Sequence, residues 1–256
     1  MEEEKYLEKI GEIEKFAKKN YVPIIRKDAS KYIKNVLVQI FNYKINEITK
    51  ERETKKKNEK EQVVDIDFKI LELGTAIAYS SIIFSKEILD LKEKFEKEKS
   101  IKINLNIKYL TCEKDIERYN LAIENINYFS KENGFNNLSF KNIIYPYNLD
   151  AEEFIDEIKK EEINKFDLIF IDANKSAYLK YFLETKDLIK PHGFILFDNI
   201  LFNGWVFGTY HEKKHRTIVN NLRKFINYLD ENNIEYKIMH EADGILKIDG
   251  EILQFK

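Results

Sequence analysis

Two apolar runs constrain this chain more than anything else in it. FDLIFIDANK (166–175) and GFILFDN (193–199) are continuous in apolar residues until each reaches an aspartate. That pattern belongs to strands buried on both faces of a parallel sheet. Asp172 closes the first run, and Asp198 with Asn199 closes the second. Open α/β sheets bind their ligands outside the C-terminal ends of the strands, where these three residues fall. Two carboxylates and an amide oxygen form a hard, oxygen-only half-shell that suits Mg²⁺. Lys175 lies one turn past Asp172 and is within reach of a hydroxyl held there. The plain alternative makes Asp172 a helix cap and Asp198-Asn199 a turn. It leaves unexplained why both strand ends carry ligands.

The rest of the chain supplies the other strands. From residue 68 strand and helix patterns alternate. Strands are expected over FKILEL (68–73), 103–112, 138–145, 166–172 and in PHGFILFD (191–198). Helices are expected over 79–95, 115–131, 151–162, 177–189 and 211–232. Two final strands, EYKIMHE and GILKID, join around Ala242-Asp243-Gly244, a tight-turn signal. Repeated βα units predict a doubly wound, seven-stranded, mostly parallel sheet with a C-terminal antiparallel hairpin. There is no internal repeat and no second core, so residues 1–256 are one domain. Within it, 1–45 are N-terminal helices, 46–65 a charged insertion and 66–256 the core. EITKERETKKKNEKEQ (47–62) mixes charges without an apolar face and is either a solvated helix extension or a loop, the loop being the favoured reading. Connections inside a regular α/β unit are only a few residues long, which makes it an insertion.

Bulk composition narrows the class. Hydrophobic residues make up 43% of the 256, ample for a buried core, and the net charge of −2 selects no polyanionic partner. The single cysteine, Cys112, rules out an internal disulfide and a cysteine-rich zinc site, and its apolar surroundings place it in a buried strand. The acidic, amphipathic N-terminus lacks the apolar core of a signal peptide, and no segment is long and apolar enough to span a membrane. The cytoplasm is the expected compartment.

The first strand runs into LELGTAIAYSS (71–81). A glycine between strand and helix lets a ligand approach the backbone, and the helix start offers free N–H groups. The segment lacks the spacing of a phosphate loop. Glu72 could reach a cationic or hydroxylated ligand. The second strand ends in TCEKD (111–115), where an acidic residue commonly holds ribose hydroxyls; Glu113 is the candidate, against a plain helix-start charge. KKHRTIVNNLRKF (213–225) gathers Lys213, Lys214, His215, Arg216, Arg223 and Lys224. These form either a phosphate-binding face or an ordinary solvated helix face. Trp205, Phe207 and Tyr210 could stack on a planar substrate or pack a lid.

Together these segments resemble the metal-dependent S-adenosylmethionine O-methyltransferases, which include the catechol and caffeoyl-CoA types. The resemblance rests on ELGTAIAYS, TCE, FDLIFIDANK and DNILFNG, and covers roughly Val22 to Ile248. VPII (22–25), GTAIAYS and HRTIVNNLRKF are most similar to the bacterial tRNA 5-hydroxyuridine methyltransferase branch. The resemblance implies a Rossmann-like class I methyltransferase fold and a homodimer, through the N-terminal helices. It implies that Glu72, Gly74 and Ser80 line the S-adenosylmethionine site, with Ile25 over the cofactor, Glu113 on the ribose and Asp150-Ala151 on the adenine side. Asp172, Asp198 and Asn199 would hold Mg²⁺ or another divalent cation, and Lys175 would be the base. Asp172 also borders the cofactor. Two positions depart from the family pattern: Leu149 and Ala78 both stand where glycine is usual.

A cation chelated by two adjacent substrate oxygens both lowers a hydroxyl pKa and fixes its approach to the methyl group. Catechols offer such a pair, and so does 5-hydroxyuridine through its hydroxyl and 4-carbonyl. The expectation is a Mg²⁺-dependent O-methyltransferase acting on 5-hydroxyuridine at the tRNA wobble position to give 5-methoxyuridine. The alternatives are a small catechol-like substrate, or a catalytically silent cofactor- or RNA-binding module.

Overall fold

In the computed structural model, residues 2–54, 63–129, 133, 135, 139–161, 165–209, 213–240 and 243–254 are described. Seven strands form one sheet: β1 (Val63–Leu73), β2 (Lys102–Cys112), β3 (Ile144–Tyr147), β4 (Phe166–Ile171), β5 (Ile189–Phe197), β6 (Lys237–Met239) and β7 (Ile245–Asp249). Their order is β3-β2-β1-β4-β5-β7-β6. The first five are parallel; β7 runs antiparallel to β5, and β6 antiparallel to β7. The doubly wound architecture is as expected, with the hairpin placed so that β7 rather than β6 meets the parallel strands. Strand order reverses between β1 and β4, so the crevice lies above their C-terminal ends.

Every residue of β4 is buried, because helices cover both faces of the sheet. On one face pack α1 (Glu2–Lys19), α2 (Lys27–Thr54), α3 (Tyr79–Lys99) and α4 (Ile116–Tyr128), and their apolar residues join Ile70, Leu168 and Phe170 in a single cluster. The other face carries α5 (Ala151–Lys160), α6 (Tyr178–Thr185) and α7 (Arg216–Glu231) over Leu71, Ile169 and Ile195. A last turn, α8 (Gly250–Leu253), follows β7. In α1 the buried residues are Tyr6, Ile10, Ile13 and Ala17, one apolar stripe spent on the chain's own core.

Several sequence expectations need correction. Residues 47–54 are helical, not a loop: α2 continues to Thr54, with Tyr43 Oη donating to Glu47 and Thr49 Oγ1 to the Ile45 carbonyl. A missing apolar face means an exposed helix rather than no helix. Residues 55–62 lie outside the described residues. β1 begins at Val63, five residues early, because it pairs with β2 along their whole shared length. β3 begins at Ile144, after a 3₁₀ turn at Phe140–Asn142. The helix expected over 177–189 splits into a 3₁₀ turn at Lys175–Ala177, α6, and a second 3₁₀ turn at Lys186–Leu188. β5 then starts at Ile189, and Pro191 falls where the β4–β5 register shifts, a place that needs no ladder donor. α7 starts at Arg216, and residues 211 and 212 lie outside the described residues.

Candidate active site

The strand ends are stitched together by backbone hydrogen bonds that continue the sheet beyond its last paired residues. Gly74 N–H donates to the Cys112 carbonyl at 3.2 Å, Asp172 N–H to Leu73 at 3.0 Å, and Asp198 N–H to Ile171 at 3.0 Å. Tyr178, fully buried, donates its hydroxyl to the Asp198 carbonyl at 2.7 Å and bridges to Ile171. Asp172 and Asp198 thereby stand side by side, as their places at the ends of two neighbouring strands require. Above them opens a cavity of about 370 Å³, and every expected site residue except Glu72 borders it.

At one end of the cavity stand Asp172, Lys175, Asp198 and Asn199. Lys175 Nζ lies 3.1 Å from Asp172 Oδ1. Asp198 is 4% exposed, and its Oδ1 is buried without a hydrogen-bond partner. Burial pushes the Asp198 carboxyl up to about 7, with the neighbouring Asp172 charge adding to the effect. Burial also raises Asp172, and Lys175 opposes that. An orphaned buried oxygen beside a second carboxylate is a local excess of negative charge that a cation relieves. The donor set of Asp172, Asp198 and Asn199 therefore fits a divalent metal. It contains two carboxylates and an amide; among the described residues no group of three His, Cys, Asp or Glu is placed to hold a metal.

The other end is built on β1 and β2. Gly74 has φ +95°, and a Cβ there would sit 2.5 Å from the Asp172 carbonyl oxygen, so only glycine lets the two strand ends meet. Ala76 and Ala78 also have positive φ, and Ala78 is fully buried in the left-handed region ahead of α3. Alanine is strained in this conformation, which glycine adopts without a Cβ penalty. Glu113 accepts hydrogen bonds from Asp115 N at 2.9 Å and Ala76 N at 3.1 Å, which fix its carboxylate on the cavity wall. Asp150 caps α5 and Ala151 follows it, both on the same wall with Leu149. Ile25, 5% exposed, closes the cavity from the segment joining α1 to α2.

Glu72 is the correction. It is fully buried and does not border the cavity. Its carboxylate accepts from Ser80 Oγ at 2.5 Å, Ser81 Oγ at 2.6 Å and Thr111 Oγ1 at 2.8 Å. Glu72 ties the start of α3 to β1 and β2 from behind, and Ser80 alone of the pair reaches the cavity. Burial raises its carboxyl, and the three hydroxyls oppose that.

Arg223 is a second correction. It donates to the carbonyls of Val206 at 2.8 Å, Trp205 at 2.8 Å and Gly208 at 2.6 Å, so it holds the loop after Asn199 rather than standing ready for a phosphate. That loop contains positive-φ residues at Asn199, Phe202, Asn203 and Gly204. Strained backbone of this kind persists where surrounding contacts over-determine it. Trp205 stacks on His215 and meets Phe202 edge-on, while Phe207 is 58% exposed. Tyr210 lies outside the described residues. Lys213, Lys214, Arg216 and Lys224 are exposed.

Tyr79 and Arg26 are among the lining residues that sequence reasoning missed. Tyr79, within the quoted GTAIAYS, borders the cavity and donates its hydroxyl to Glu14 of α1 at 2.6 Å. Arg26 directly follows VPII and borders the cavity. Neither had a spacing that marked it. The partner of Tyr79 is 65 positions away in the chain.

Residues 69–249 match a family model described as O-methyltransferase. Among curated proteins, the chain is 46% identical over 54 residues to the caffeoyl-CoA O-methyltransferase of Medicago sativa, covering 20% of this chain and 22% of that protein. It is 29% identical over 103 residues to the catechol O-methyltransferase of Niastella koreensis, covering 40% of this chain and 45% of that protein. The matches thus span less than half the length of these relatives. Among solved structures, the O-methyltransferase from Bacillus cereus in complex with SAH superposes with a TM-score of 0.61 at 19% identity, covering 94% of this chain and 90% of that one. This likeness is one of fold. Among the described residues, no helix is long and apolar enough to cross a membrane.

Proposed function

The chain belongs to the O-methyltransferase family, and from that membership we propose that it transfers a methyl group from S-adenosylmethionine to one of two adjacent oxygens on a small, catechol-like substrate, with a divalent cation. The observation that carries the reading is Asp198: a buried carboxylate with an orphaned oxygen, next to Asp172 and Lys175 at the switch point of the sheet. The relatives named for caffeoyl-CoA and catechol support a small-molecule acceptor.

When bound, S-adenosylmethionine supplies an activated methyl group, and the cation supplies positive charge that eases ionisation of the acceptor hydroxyl. Asp172, Asp198 and Asn199 would hold the cation. Gly74, Ser80 and Glu113 would hold the cofactor, with Glu113 positioned by two backbone amides to accept from ribose hydroxyls. Asp150 and Ala151 would border the adenine, and Ile25 would exclude water from above. Lys175, anchored on Asp172, is the residue placed to take the hydroxyl proton, and this is general-base work. Glu72 acts indirectly, by setting Ser80 and the first turn of α3.

A second reading keeps wobble 5-hydroxyuridine in tRNA as the acceptor. The exposed cations Lys213, Lys214, Arg216 and Lys224 favour it, although Arg223 is committed to the loop. The deciding experiment offers purified protein, S-adenosylmethionine and Mg²⁺ a simple catechol and hydroxylated tRNA side by side. Methylation of catechol without salt-dependent tRNA binding supports the first reading, and methylation of tRNA alone supports the second. No transfer to either, with or without metal, would sink the activity itself. A homodimer and a cytoplasmic location are part of the same proposal.

A further inference from the structure

One polar side chain on the cavity wall is buried and unclaimed. Tyr181, on α6, is 3% exposed and borders the cavity. Among the described residues its hydroxyl has no hydrogen-bond partner. Buried tyrosine hydroxyls ordinarily find one, because a polar group left unpaired costs free energy. Tyr178, one turn earlier in α6, donates to the Asp198 carbonyl, and Tyr79, also on the wall, donates to Glu14. Tyr181 is different. A printed contact of its helix fixes its place: Lys180 Nζ lies 2.6 Å from Glu152 Oε2, which fastens α6 to the first turn of α5. Tyr181 therefore stands at the end of the cavity where α5 begins, with Leu149, Asp150 and Ala151. Cys112, the last residue of β2, completes that wall.

The other polar groups at this end have work inside the fold. Asp150 Oδ1 accepts from Glu152 N at 3.1 Å in capping α5. Burial raises the Cys112 thiol, which stays protonated and is a weak donor. Burial also raises the Tyr181 phenol, with the Asp150 charge adding to the effect. Glu113, next in the chain to Cys112, is fixed by two backbone amides as an acceptor for ribose hydroxyls. The ring attached to that ribose then meets this wall. Leu149, Ala151 and Cys112 offer it apolar surface, and Tyr181 offers its edge a polar contact. The Asp150 carboxylate beside the hydroxyl favours a ligand group that brings a proton over one that brings a lone pair. The exocyclic amine is the donor on adenine. We infer that Tyr181 reads the base of the cofactor, its hydroxyl accepting a hydrogen bond from the six-position amine. This inference rests on the S-adenosylmethionine reading above and adds the residue that recognises the amine.

The test is a binding cycle followed by calorimetry, with no acceptor present. Wild type and Tyr181→Phe are titrated with S-adenosylhomocysteine, with its analogue carrying purine in place of adenine, and with its 7-deaza analogue. The purine analogue lacks the amine; the 7-deaza analogue keeps the amine and lacks one ring acceptor. In wild type, removing the amine weakens binding about fivefold, the scale of one neutral hydrogen bond. In Tyr181→Phe, S-adenosylhomocysteine binds about fivefold less tightly, and removing the amine costs nothing further. The 7-deaza change has the same effect in both proteins. An amine effect of equal size in both proteins, or S-adenosylhomocysteine bound equally by both, overturns the inference and leaves the methyltransferase reading standing. A hydroxyl that couples to the 7-position instead of the amine overturns it as well. If Tyr181→Phe does not fold, wild type decides alone: an amine worth about fivefold supports the inference, and an amine worth nothing overturns it. Failure of wild type to bind S-adenosylhomocysteine at all retires the cofactor reading and the inference together.

Discussion

Glu72 and Asp198 are both carboxylates at strand ends, 0% and 4% exposed, about as far from water as side chains get. Their surroundings differ. Three hydroxyls from α3 and β2 fill the lone pairs of Glu72. At Asp198 one oxygen has no partner, and the charge of the neighbouring Asp172 works against its ionisation. A buried polar group must be paired or it costs stability. Glu72 is paired by the protein, so it serves the fold. Asp198 keeps one oxygen open, as the proposed cation site requires. Asp167, at the opposite end of β4, sides with Glu72: Lys44, Lys190 and the Lys69 amide saturate it. Saturation, rather than burial or charge, separates Glu72 and Asp167 from the carboxylate proposed to hold the cation.

The sharpest way to break this contrast is Asp198→Ala. Turnover should fall to near the background rate and calorimetric binding of Mg²⁺ should vanish, while S-adenosylmethionine still binds. Unchanged turnover, or turnover that persists in excess chelator, would show that the site needs no metal. Next is Lys175→Met, which keeps side-chain length and removes the proton acceptor. A fall in kcat of about 10²–10⁴-fold is expected, shrinking at higher pH where the acceptor ionises by itself. A loss confined to cofactor affinity would remove Lys175 from the chemistry.

Stability should also separate the two carboxylates. The unfolded chain releases the Asp198 proton near the ordinary carboxyl value, whereas the fold retains it up to about 7. Between those values the folded state binds more protons. Metal-free stability is therefore intact at low pH and is lost as pH rises through the folded value, by up to about 4 kcal/mol at 1.36 kcal/mol per pH unit. Added Mg²⁺ should restore it, and Asp198→Asn should flatten the curve. A metal-free protein whose urea midpoint is level from pH 4 to 8 contradicts the assignment. Glu72→Ala should cost about 3 kcal/mol of folding stability by orphaning buried hydroxyls, with Mg²⁺ affinity unchanged. If it instead weakened Mg²⁺ binding and left stability alone, the two carboxylates would have exchanged roles. The smallest effect is expected at Glu113→Ala, which should weaken S-adenosylmethionine binding by about 1.5–3 kcal/mol, as measured by calorimetry. Wild-type affinity would take Glu113 out of the ribose site.

The strands, the helix-covered sheet and the place of the candidate ligands at the ends of β4 and β5 were legible in the sequence because each depends on a local signal. An apolar run declares a buried strand, and the residue that ends it must lie at the strand's edge. The places of Asp172, Asp198, Asn199 and Glu113 at strand ends bordering the cavity follow from this. Lys175 was expected one helical turn past Asp172; it does meet Asp172, but across a non-helical 172–174 segment, since the 3₁₀ turn begins only at Lys175. Interrupted helices and early strand starts were less legible, since β1 owes residues 63–67 to pairing with β2 and nothing in VVDID announces that partner.

What only the tertiary structure decided is which polar groups were already spoken for. Glu72 looked as available as Asp172 in the sequence; its partners arrive from 8, 9 and 39 positions away. Arg223 resembled its basic neighbours until the loop carbonyls 15 to 18 positions earlier folded onto it. Tyr79 had no signature at all, and its partner Glu14 lies 65 positions away. The physical reason is common to all three. Burial pattern and backbone propensity act over a few residues and are written into the order of the chain, whereas hydrogen-bond satisfaction is settled between groups that meet only once the chain has folded.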